Sequence, residues 1–272
     1  MYLNIMVDRN IIEKLDNGID VILVIEIQGA LKIKEITGAK LIYDRTDNWS
    51  DLSEQFNTNE IALINNADVA FCTSNYLYNN VPEGCDLETW KKKCTLIYTS
   101  CNKKYEVPTV KKYTTPTAVY AGVGIKKVNW MMFAVLAEQN PDWNFKFYVR
   151  DDHQEINILK GISNVEILPL IPEESLHNEL SKCHIGLVYY KPSGYTDGML
   201  PLKVYDYFNA RIPVVFYGCP ELREFSDCCF EEDGSINLND ILEKRVATSV
   251  YDKYLNSDIN EKLQQIEQLG LK

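Results

Sequence analysis

The stretch GMLPLKVYDYFNARIPVV, residues 198–215, places a lysine and an acid three positions apart near the start of a predicted helix. Pro201 is typical of a first helical turn, and the apolar run after Pro213 is typical of a short buried strand. In that arrangement the first-turn amides and Lys203 would face an anion, and Asp206 could accept hydrogen bonds from sugar hydroxyls. The stretch thus indicates a site for a phosphorylated sugar, although each residue alone also fits a structural role.

A second group of basic residues follows the predicted strand TAVYAGVG, residues 117–124. Gly124 would let the backbone approach a ligand, and Lys126 and Lys127 would supply positive charge. The region 103–127 is rich in lysine within an acidic chain, which favours an anion site; a solvated lysine-rich linker is the alternative. The G-x-G-x-x-G pattern of dinucleotide sites fails at Lys127, so a dinucleotide is not expected.

Two further strand ends carry candidate residues. Arg150 follows the predicted strand NFKFYVR and could hold a diphosphate with its fork of donors, or pair at the surface with Asp151 or Asp152. Leu170 and Ile171 lie in the turn PLIPEE, whose backbone could contact a flat base. Proline-rich turns are common, so the turn by itself is weak evidence. Ligands of open parallel sheets bind at such strand ends, and this shared position favours one site.

The elements that would position these residues alternate between strands and helices, which predicts parallel sheets covered by helices. The fold class expected is therefore α/β, with two Rossmann-like domains. We place the first domain at 1–105, a linker at 106–116, the second domain at 117–240 and a helical tail at 241–272. The predicted strands of the first domain are 20–27, 39–45, 68–74 and 94–100, with helices at 50–66 and 75–80; those of the second are 117–124, 144–150, 165–170, 184–190 and 212–218, with helices at 128–141, 172–183 and from Pro201 to near Arg211.

Composition excludes several classes of function. A net charge of −11 opposes binding of nucleic acid and general adhesion to anionic membranes. No apolar run approaches the ~20 residues of a membrane span, and the start has no secretory signal. The 8 cysteines include no C-x-x-C pair, which favours free thiols in a reducing cytoplasm. The 3 histidines lack zinc-site spacing, so no metal is expected.

The second half resembles the nucleotide-binding domain of GT-B glycosyltransferases, specifically the family 4-like bacterial enzymes of exopolysaccharide and teichuronic acid assembly. TDGMLPLKVYDYFNARIPVV resembles the family pattern TRAVSPLKLYEYLAAGKPVV, and YAGVGIKKVNWMMFAVLAEQNPDWNF resembles YvGaiderlDwdllaalAerhPdwsf. In the first half LIYDRTDNWSDL is similar to vvYDcvDdWsaf, and NADVAFCTSNYLYN is similar to rADlvfvTSeaLye. The resemblance covers about residues 20–225.

This resemblance implies transfer of a sugar from a nucleotide-diphosphate donor, usually a UDP-sugar, to a polysaccharide or lipid-linked acceptor in cell-surface glycan synthesis. Retention of anomeric configuration and independence from metals and cofactors are implied by the family. Asp206 matches the ribose-binding carboxylate. The diphosphate-side candidates are Gly124, Lys126, Lys127, Arg150, Thr196, Gly198, Met199, Leu200 and Lys203, and the base-side candidates are Leu170 and Ile171. The expected location is the cytoplasm, with peripheral association at the inner face of the membrane.

Catalytic residues are predicted less directly. Asp44 and Asp47 end a predicted strand of the first half, and either could orient or deprotonate an acceptor hydroxyl. The alternative is that Asp47 or Ser50 caps the helix predicted at 50–66.

Several departures from the family pattern widen the functional choice. Asp206 replaces the usual Glu, Arg211 replaces a glycine, and the first domain is expected to be incomplete, with a fragment, a natural reduction or a completing partner chain as explanations. A non-catalytic nucleotide-sugar-binding module or subunit is therefore the main alternative. A nucleotide-sugar epimerase is a weaker one, because no matching constellation of catalytic acids is evident.

Overall fold

The computed structural model describes residues 21–24, 31, 34–35, 38–98, 109–123, 126–150, 154–234, 236–255 and 264. These residues form two compact units. The first contains the described residues up to 98 together with Ser193–Leu200, and the second contains those from 109 to 192 and from 201 to 255. No helix among the described residues is both long and apolar enough to cross a bilayer.

The first unit is built on a four-stranded sheet in the sequential order β1-β2-β3-β4. All neighbouring strands are parallel. The apolar run of β2 is almost wholly buried, as expected for a parallel strand covered on both faces. The elements are β1 (Val21–Val24), β2 (Lys40–Arg45), a 3-10 turn (Trp49–Asp51), α1 (Glu54–Asn66), β3 (Val69–Cys72), α2 (Asn75–Asn79), α3 (Leu87–Lys93) and β4 (Cys94–Leu96).

Helix α1 begins later than the predicted 50–66, and its cap corrects the sequence expectation. Ser53 is the N-cap, because its Oγ accepts a hydrogen bond from the Phe56 amide. Neither Asp47 nor Ser50 caps this helix. Ser50 instead lies in the 3-10 turn that precedes it, so the structural alternative proposed for these two residues is wrong.

The second unit contains a six-stranded parallel sheet in the order β7-β6-β5-β8-β9-β10. This is the 3-2-1-4-5-6 order of a doubly wound nucleotide-binding sheet. Its strands are β5 (Thr117–Ala121), β6 (Asn144–Tyr148), β7 (Val165–Leu168), β8 (Ile185–Tyr189), β9 (Val214–Tyr217) and β10 (Cys229–Glu231). The α/β class with parallel sheets is therefore confirmed.

The helices of this unit enclose an aromatic core. Tyr120, Phe133, Phe147 and Tyr189 are buried, and the rings of Phe133 and Tyr189 stack at a centroid distance of 4.9 Å. The helical elements are α4 (Trp130–Gln139), a 3-10 helix (Gln154–Leu159), α5 (Glu173–Lys182), α6 (Gly194–Asp197, assigned to the first unit), α7 (Lys203–Asn209), a 3-10 helix (Pro220–Phe225), α8 (Leu238–Glu243) and α9 (Thr248–Leu255).

Most predicted elements are present but shorter by a few residues at their ends. Helix α7 begins at Lys203 rather than Pro201, and residues 193–198 contain the capped turn α6. The predicted tail contains α9 and the end of α8, and most of its residues after 255 lie outside the described part, as do residues 106–108 of the predicted linker. Helix α3 and strand β10 were not predicted. The proposed domain boundaries remain predictions.

Candidate functional site

The topological switch point of the second unit lies between β5 and β8. These strands are neighbours, and the strand order runs outward from them in opposite directions. Loops that leave such a pair of strands diverge, so a crevice opens at their carboxyl ends, and ligands of open α/β sheets bind there. Gly122 and Val123 follow β5, and Tyr190 and Lys191 follow β8. Sequence reasoning selected this edge of the sheet from its strand ends.

Lys203, the first residue of α7, directs its ammonium to this edge. Its Nζ lies 3.8 Å from the centroid of the Tyr120 ring and 5.6 Å from that of Tyr190. A Cβ atom at Gly122 would lie 2.7 Å from the same Nζ, so glycine leaves the room that the lysine occupies. The aromatic faces stabilise the cation without neutralising it.

The ionisation of Lys203 is strongly affected by its surroundings. Burial lowers the pKa of the ammonium to about 7, and the charge of Asp206 acts in the opposite direction. Desolvation disfavours the charged form of a lysine, and here it outweighs the nearby carboxylate. Keeping Lys203 positively charged in this buried position therefore costs free energy, and a nearby anionic ligand would reduce that cost.

Asp206 lies one turn along α7 and is perturbed in the opposite sense. Burial raises the pKa of its carboxyl group to about 6; the charge of Glu173 adds to this rise, and Lys203 opposes it. Glu173 is the first residue of α5 and follows the turn with the base-side candidates. A carboxylate with this environment gains from hydroxyl donors, such as the two of a ribose.

Helix α7 is fixed on the sheet by Tyr207. The Tyr207 hydroxyl donates to the Leu187 carbonyl at 3.2 Å and accepts from the Ala121 amide at 3.3 Å, so one side chain ties the helix to β8 and to the end of β5. A Cβ atom at Gly186 would lie 2.4 Å from the Tyr207 ring, and glycine therefore permits this close packing. Lys203 and Asp206 are thus presented from a rigid support.

The remaining candidates of the second unit follow other strands of the same sheet. Arg150 is exposed after β6, and Leu170 and Ile171 come after β7, where Leu170 is 44% exposed. Lys126 is exposed and Lys127 is half-buried; their carbonyls accept hydrogen bonds from the side chain and the amide of Lys191. All five side chains lie near carboxyl ends of parallel strands. Gly124 lies outside the described residues.

The other candidates belong to the first unit. Asp44 is the last residue but one of β2 and is 8% exposed, whereas Asp47 is half-buried in the turn that follows. Asp47 accepts hydrogen bonds from Thr46 Oγ1 at 3.3 Å and from the Tyr195 phenol. Burial raises the pKa of Tyr195, and the Asp47 charge raises it further. A second set of candidates, Thr196, Gly198, Met199 and Leu200, belongs to the segment Ser193–Leu200.

Metal binding finds no support among the described residues. No group of three or more His, Cys, Asp or Glu side chains in the described ranges is arranged to hold an ion. The Nδ1 atom of His184 accepts a hydrogen bond from the Thr117 amide at 3.0 Å, so this histidine has a structural contact.

Solved structures with a similar arrangement of elements include a glycosyltransferase. The pneumococcal O-GlcNAc transferase GtfA, solved with UDP and GlcNAc, matches 97% of this chain and 60% of its own, with a TM-score of 0.67 and 12% identity. Anabaena Alr3699/HepE, solved with UDP-glucose, matches 96% of this chain and 80% of its own, with a TM-score of 0.68 and 13% identity. The chain has the GT-B fold.

Sequence similarity agrees with the GT-B fold. The chain is 27% identical over 209 residues to the protein of Bacillus subtilis (strain 168) named as teichuronic acid biosynthesis glycosyltransferase TuaH. The match covers 66% of this chain and 51% of TuaH, so the chain spans about half the length of that relative. No protein-family model matches the chain.

Several residues of the GT-B units were missed by sequence reasoning. Glu173, Tyr120 and Tyr190 surround the Lys203–Asp206 pair, and all three lie at or beside predicted strand ends, which is the signal that could have found them. Asn48 and Asp51, in the turn after β2, contact Ser193–Leu200. No local pattern indicates that contact.

Proposed function

We propose that the chain binds a UDP-sugar in its second unit and transfers the sugar to a polysaccharide or lipid-linked acceptor in cell-surface glycan synthesis. The observation that carries this proposal is the Lys203–Asp206 pair at the switch point of a 3-2-1-4-5-6 sheet. Two structural neighbours were solved with UDP and a sugar or with UDP-glucose, and a relative is named for teichuronic acid biosynthesis, which supports the donor and acceptor classes.

The donor would be held by charge complementarity. Lys203 would contact the diphosphate, with Lys126, Lys127 and Arg150 as further cations at the same edge of the sheet. Asp206 would accept hydrogen bonds from the ribose hydroxyls, and the turn at Leu170 would contact the uracil. Ligand binding returns both members of the pair to their charged forms, because the diphosphate favours the ammonium and the hydroxyls favour the carboxylate.

Catalysis would consist mainly of positioning and of stabilising the leaving group. The bond between the anomeric carbon and the diphosphate oxygen breaks, and UDP leaves with the electron pair. The acceptor oxygen forms the new bond to the same carbon and gives its proton to the departing diphosphate oxygen. We propose retention of configuration, no metal requirement, and Asp47 or Asp44 as the groups of the first unit that orient the acceptor hydroxyl.

Calorimetry with UDP-glucose, UDP-GlcNAc and a GDP-sugar tests donor binding. Lys203→Met and Asp206→Asn should each weaken binding of the preferred donor by at least about tenfold, which corresponds to about 1.4 kcal/mol. Matched controls are Lys253→Met and Asp240→Asn, which change the same residue types on α9 and α8. If no nucleotide sugar binds, or if the controls weaken binding equally, the proposed site is wrong.

Release of UDP with and without a glycan acceptor separates a transferase from a binding module. Transfer predicts acceptor-dependent release of UDP that is lost in Lys203→Met. Tight donor binding without release, in the presence of polysaccharide and lipid-linked acceptors, would instead support a non-catalytic nucleotide-sugar-binding subunit.

A further inference from the structure

The segment Ser193–Leu200 stands out because it belongs to the first unit although the chain on either side belongs to the second. It joins the carboxyl end of β8 to the residues that lead into α7. Loops at this position border the ligand crevice of an open sheet. Its conformation therefore bears on the residues that lead directly into α7.

The segment is ordered within itself. Ser193 and Thr196 form a capping box, in which the Ser193 Oγ accepts from the Thr196 amide at 3.2 Å and the Thr196 Oγ1 accepts from the Ser193 amide at 2.8 Å. Thr196 is fully buried. Such a box stabilises only one turn, which by itself is too short to be stable.

Residues distant in sequence supply the remaining order. Asn48 Nδ2 donates to the Gly194 carbonyl at 2.9 Å, and the Asp51 carboxylate accepts from the Tyr195 amide at 2.8 Å. The contact at Gly194 is also close, because a Cβ atom at this position would lie 2.9 Å from Asp51 Oδ1. The turn after β2 therefore holds one end of the segment.

Ser74 holds the other end. Its buried Oγ donates to the Gly198 carbonyl at 2.9 Å and also accepts from the Leu77 amide as the cap of α2. A Cβ atom at Gly198 would lie 3.0 Å from the side chains of Tyr76 and Leu77. Ser74 lies two residues after the end of β3, so the sheet restricts its position.

The turn after β2 is itself fixed by a buried network. The Asn48 Oδ1 accepts hydrogen bonds from Ser50 Oγ at 2.8 Å and from Arg45 at 3.4 Å, and the Ser50 amide donates to Glu60 at 2.6 Å. With its oxygen held in this way, the Asn48 amide group has its nitrogen directed to Gly194. The first unit thus offers preformed partners rather than flexible side chains.

We propose that Asn48, Asp51 and Ser74 are positioning residues, which hold Ser193–Leu200 in the conformation that receives the diphosphate of the donor. This inference rests on the proposed function for its ligand. These three residues, the anchors, act through the backbone of the segment and need not contact the donor. Their loss should therefore weaken donor binding without removing any charge from the Lys203–Asp206 pair.

The test compares two matched pairs of variants in UDP binding by calorimetry. Asp51→Ala is paired with Asp86→Ala, because Asp86 also accepts from a backbone amide, that of Thr89 at 2.7 Å, but at the start of α3. Ser74→Ala is paired with Ser53→Ala, since both serines are helix N-caps of the first unit. We expect about fivefold weaker UDP binding for each anchor variant and less than twofold for each control.

Conservative replacements and hydrogen exchange complete the experiment. Asp51→Asn and Ser74→Thr keep an acceptor oxygen and a hydroxyl, and each should recover most of the lost affinity. In the ligand-free protein, amide exchange of 193–200 should be faster in Asp51→Ala and Ser74→Ala than in their controls. Normal UDP binding by both anchor variants would overturn the positioning role while leaving the proposed function intact.

If the wild-type protein binds no UDP, the proposed function is the part that fails. The exchange measurement then still decides whether the anchors hold the segment: unchanged exchange in both anchor variants overturns the inference, and faster exchange supports it. A fold defect would appear as faster exchange throughout the first unit, in the β2 and β3 strands as well as in 193–200. That pattern would also overturn a specific positioning role.

Discussion

Each unit contains a pair of opposite charges, and the two pairs differ in how they are satisfied. Arg45 and Glu60 are 1% and 0% exposed and are joined at 2.6 Å. Arg45 also donates to the carbonyls of Leu77 and Asn80, and Glu60 accepts from Tyr43 and the Ser50 amide. Every charge in this pair is thus matched by groups of the protein.

The Lys203–Asp206 pair has a different environment. Aromatic rings surround the ammonium, and burial moves both pKa values towards neutrality, to about 7 and about 6. A buried pair that is fully hydrogen-bonded stabilises one conformation, whereas a pair whose charges remain costly is suited to receive a charged ligand. The difference separates a structural pair from a candidate binding pair by physical criteria alone.

The largest expected effect comes from breaking the structural pair. Glu60→Ala leaves the Arg45 guanidinium buried without its carboxylate, and we expect the free energy of unfolding to fall by about 3–5 kcal/mol. Urea denaturation measures this loss. Glu83→Ala, which removes an exposed glutamate of the same unit, should change stability by less than about 0.5 kcal/mol. A loss below about 1 kcal/mol for Glu60→Ala would refute the structural assignment.

The opposite effect on stability is expected for the binding pair. Lys203→Met removes a charge that is held at a desolvation cost, so we expect the ligand-free protein to gain about 1 kcal/mol, or ~2–4 °C in melting temperature. Donor binding should be lost in the same variant. Differential scanning calorimetry checks the shift, and a melting temperature below that of the wild type would show that Lys203 stabilises the fold.

The pH dependence of donor binding sharpens the same contrast. Asp206 becomes protonated below about pH 6, and Lys203 loses its proton above about pH 7. We therefore expect the affinity for UDP-glucose to be highest between these values and to fall by up to tenfold per pH unit on either side. UDP-glucose is the suitable probe because its diphosphate keeps the same charge across this range.

Two variants test which residue causes the loss of affinity on each side of the pH optimum. Lys203→Arg keeps a positive charge at all accessible pH values and should remove the alkaline limb, while Asp206→Asn should remove the acidic limb. In the ligand-free protein the raised pKa of Asp206 has a separate consequence: stability falls as the pH rises from the unfolded value of 3.8 through about 6, because the unfolded chain releases that proton first. A pH-independent affinity would contradict the assignment.

The smallest effect concerns the turn between α7 and β9. Arg211 adopts a left-handed backbone conformation with φ 56°. Its guanidinium group forms an ion pair with Asp252 at 2.6 Å, and its Nε atom has no hydrogen-bond partner among the described residues. Because Arg211→Gly and Arg211→Ala lose the same ion pair, the glycine variant should be more stable than the alanine variant by about 1 kcal/mol. Thermal unfolding measures the difference.

The neighbouring residue provides the control for that measurement. Ala210 has φ −76°, so glycine gains nothing there, and Ala210→Gly should be less stable than the wild type by about 0.5–1 kcal/mol. Equal stability of the two Arg211 variants would show that the backbone strain is absent.

The sequence predicted the described strands of both units apart from β10. Short apolar runs separated by amphipathic segments identified β5, β6, β7, β8 and β9, because buried parallel strands are continuous apolar stretches. Lys203 and Asp206 were identifiable because helix position and charge type are local properties. The resemblance to GT-B enzymes gave the same result at the level of the fold.

The parts that sequence did not predict depend on distant contacts. Arg45 and Glu60 read as ordinary surface charges, since their burial depends on the packing of α1 against β2. The membership of Ser193–Leu200 in the first unit depends on hydrogen bonds whose partners are separated by 124 to 146 residues. No local pattern encodes such a separation. The cap at Ser53 was missed for a simpler reason, because several polar residues precede α1 and any of them could cap it.

The same segment has a consequence for how the protein is made. The four described strands of the first unit have been synthesised once β4 is made, yet the acceptors for Asn48 and Ser74 are added to the chain about a hundred residues later. Until then the Asn48 amide nitrogen and the Ser74 hydroxyl lack the backbone carbonyls of Gly194 and Gly198 as acceptors. Completion of the first unit is therefore tied to synthesis of the second, and loops of this length close slowly because of their entropy. A chain released after β4 would lack these long-range hydrogen bonds.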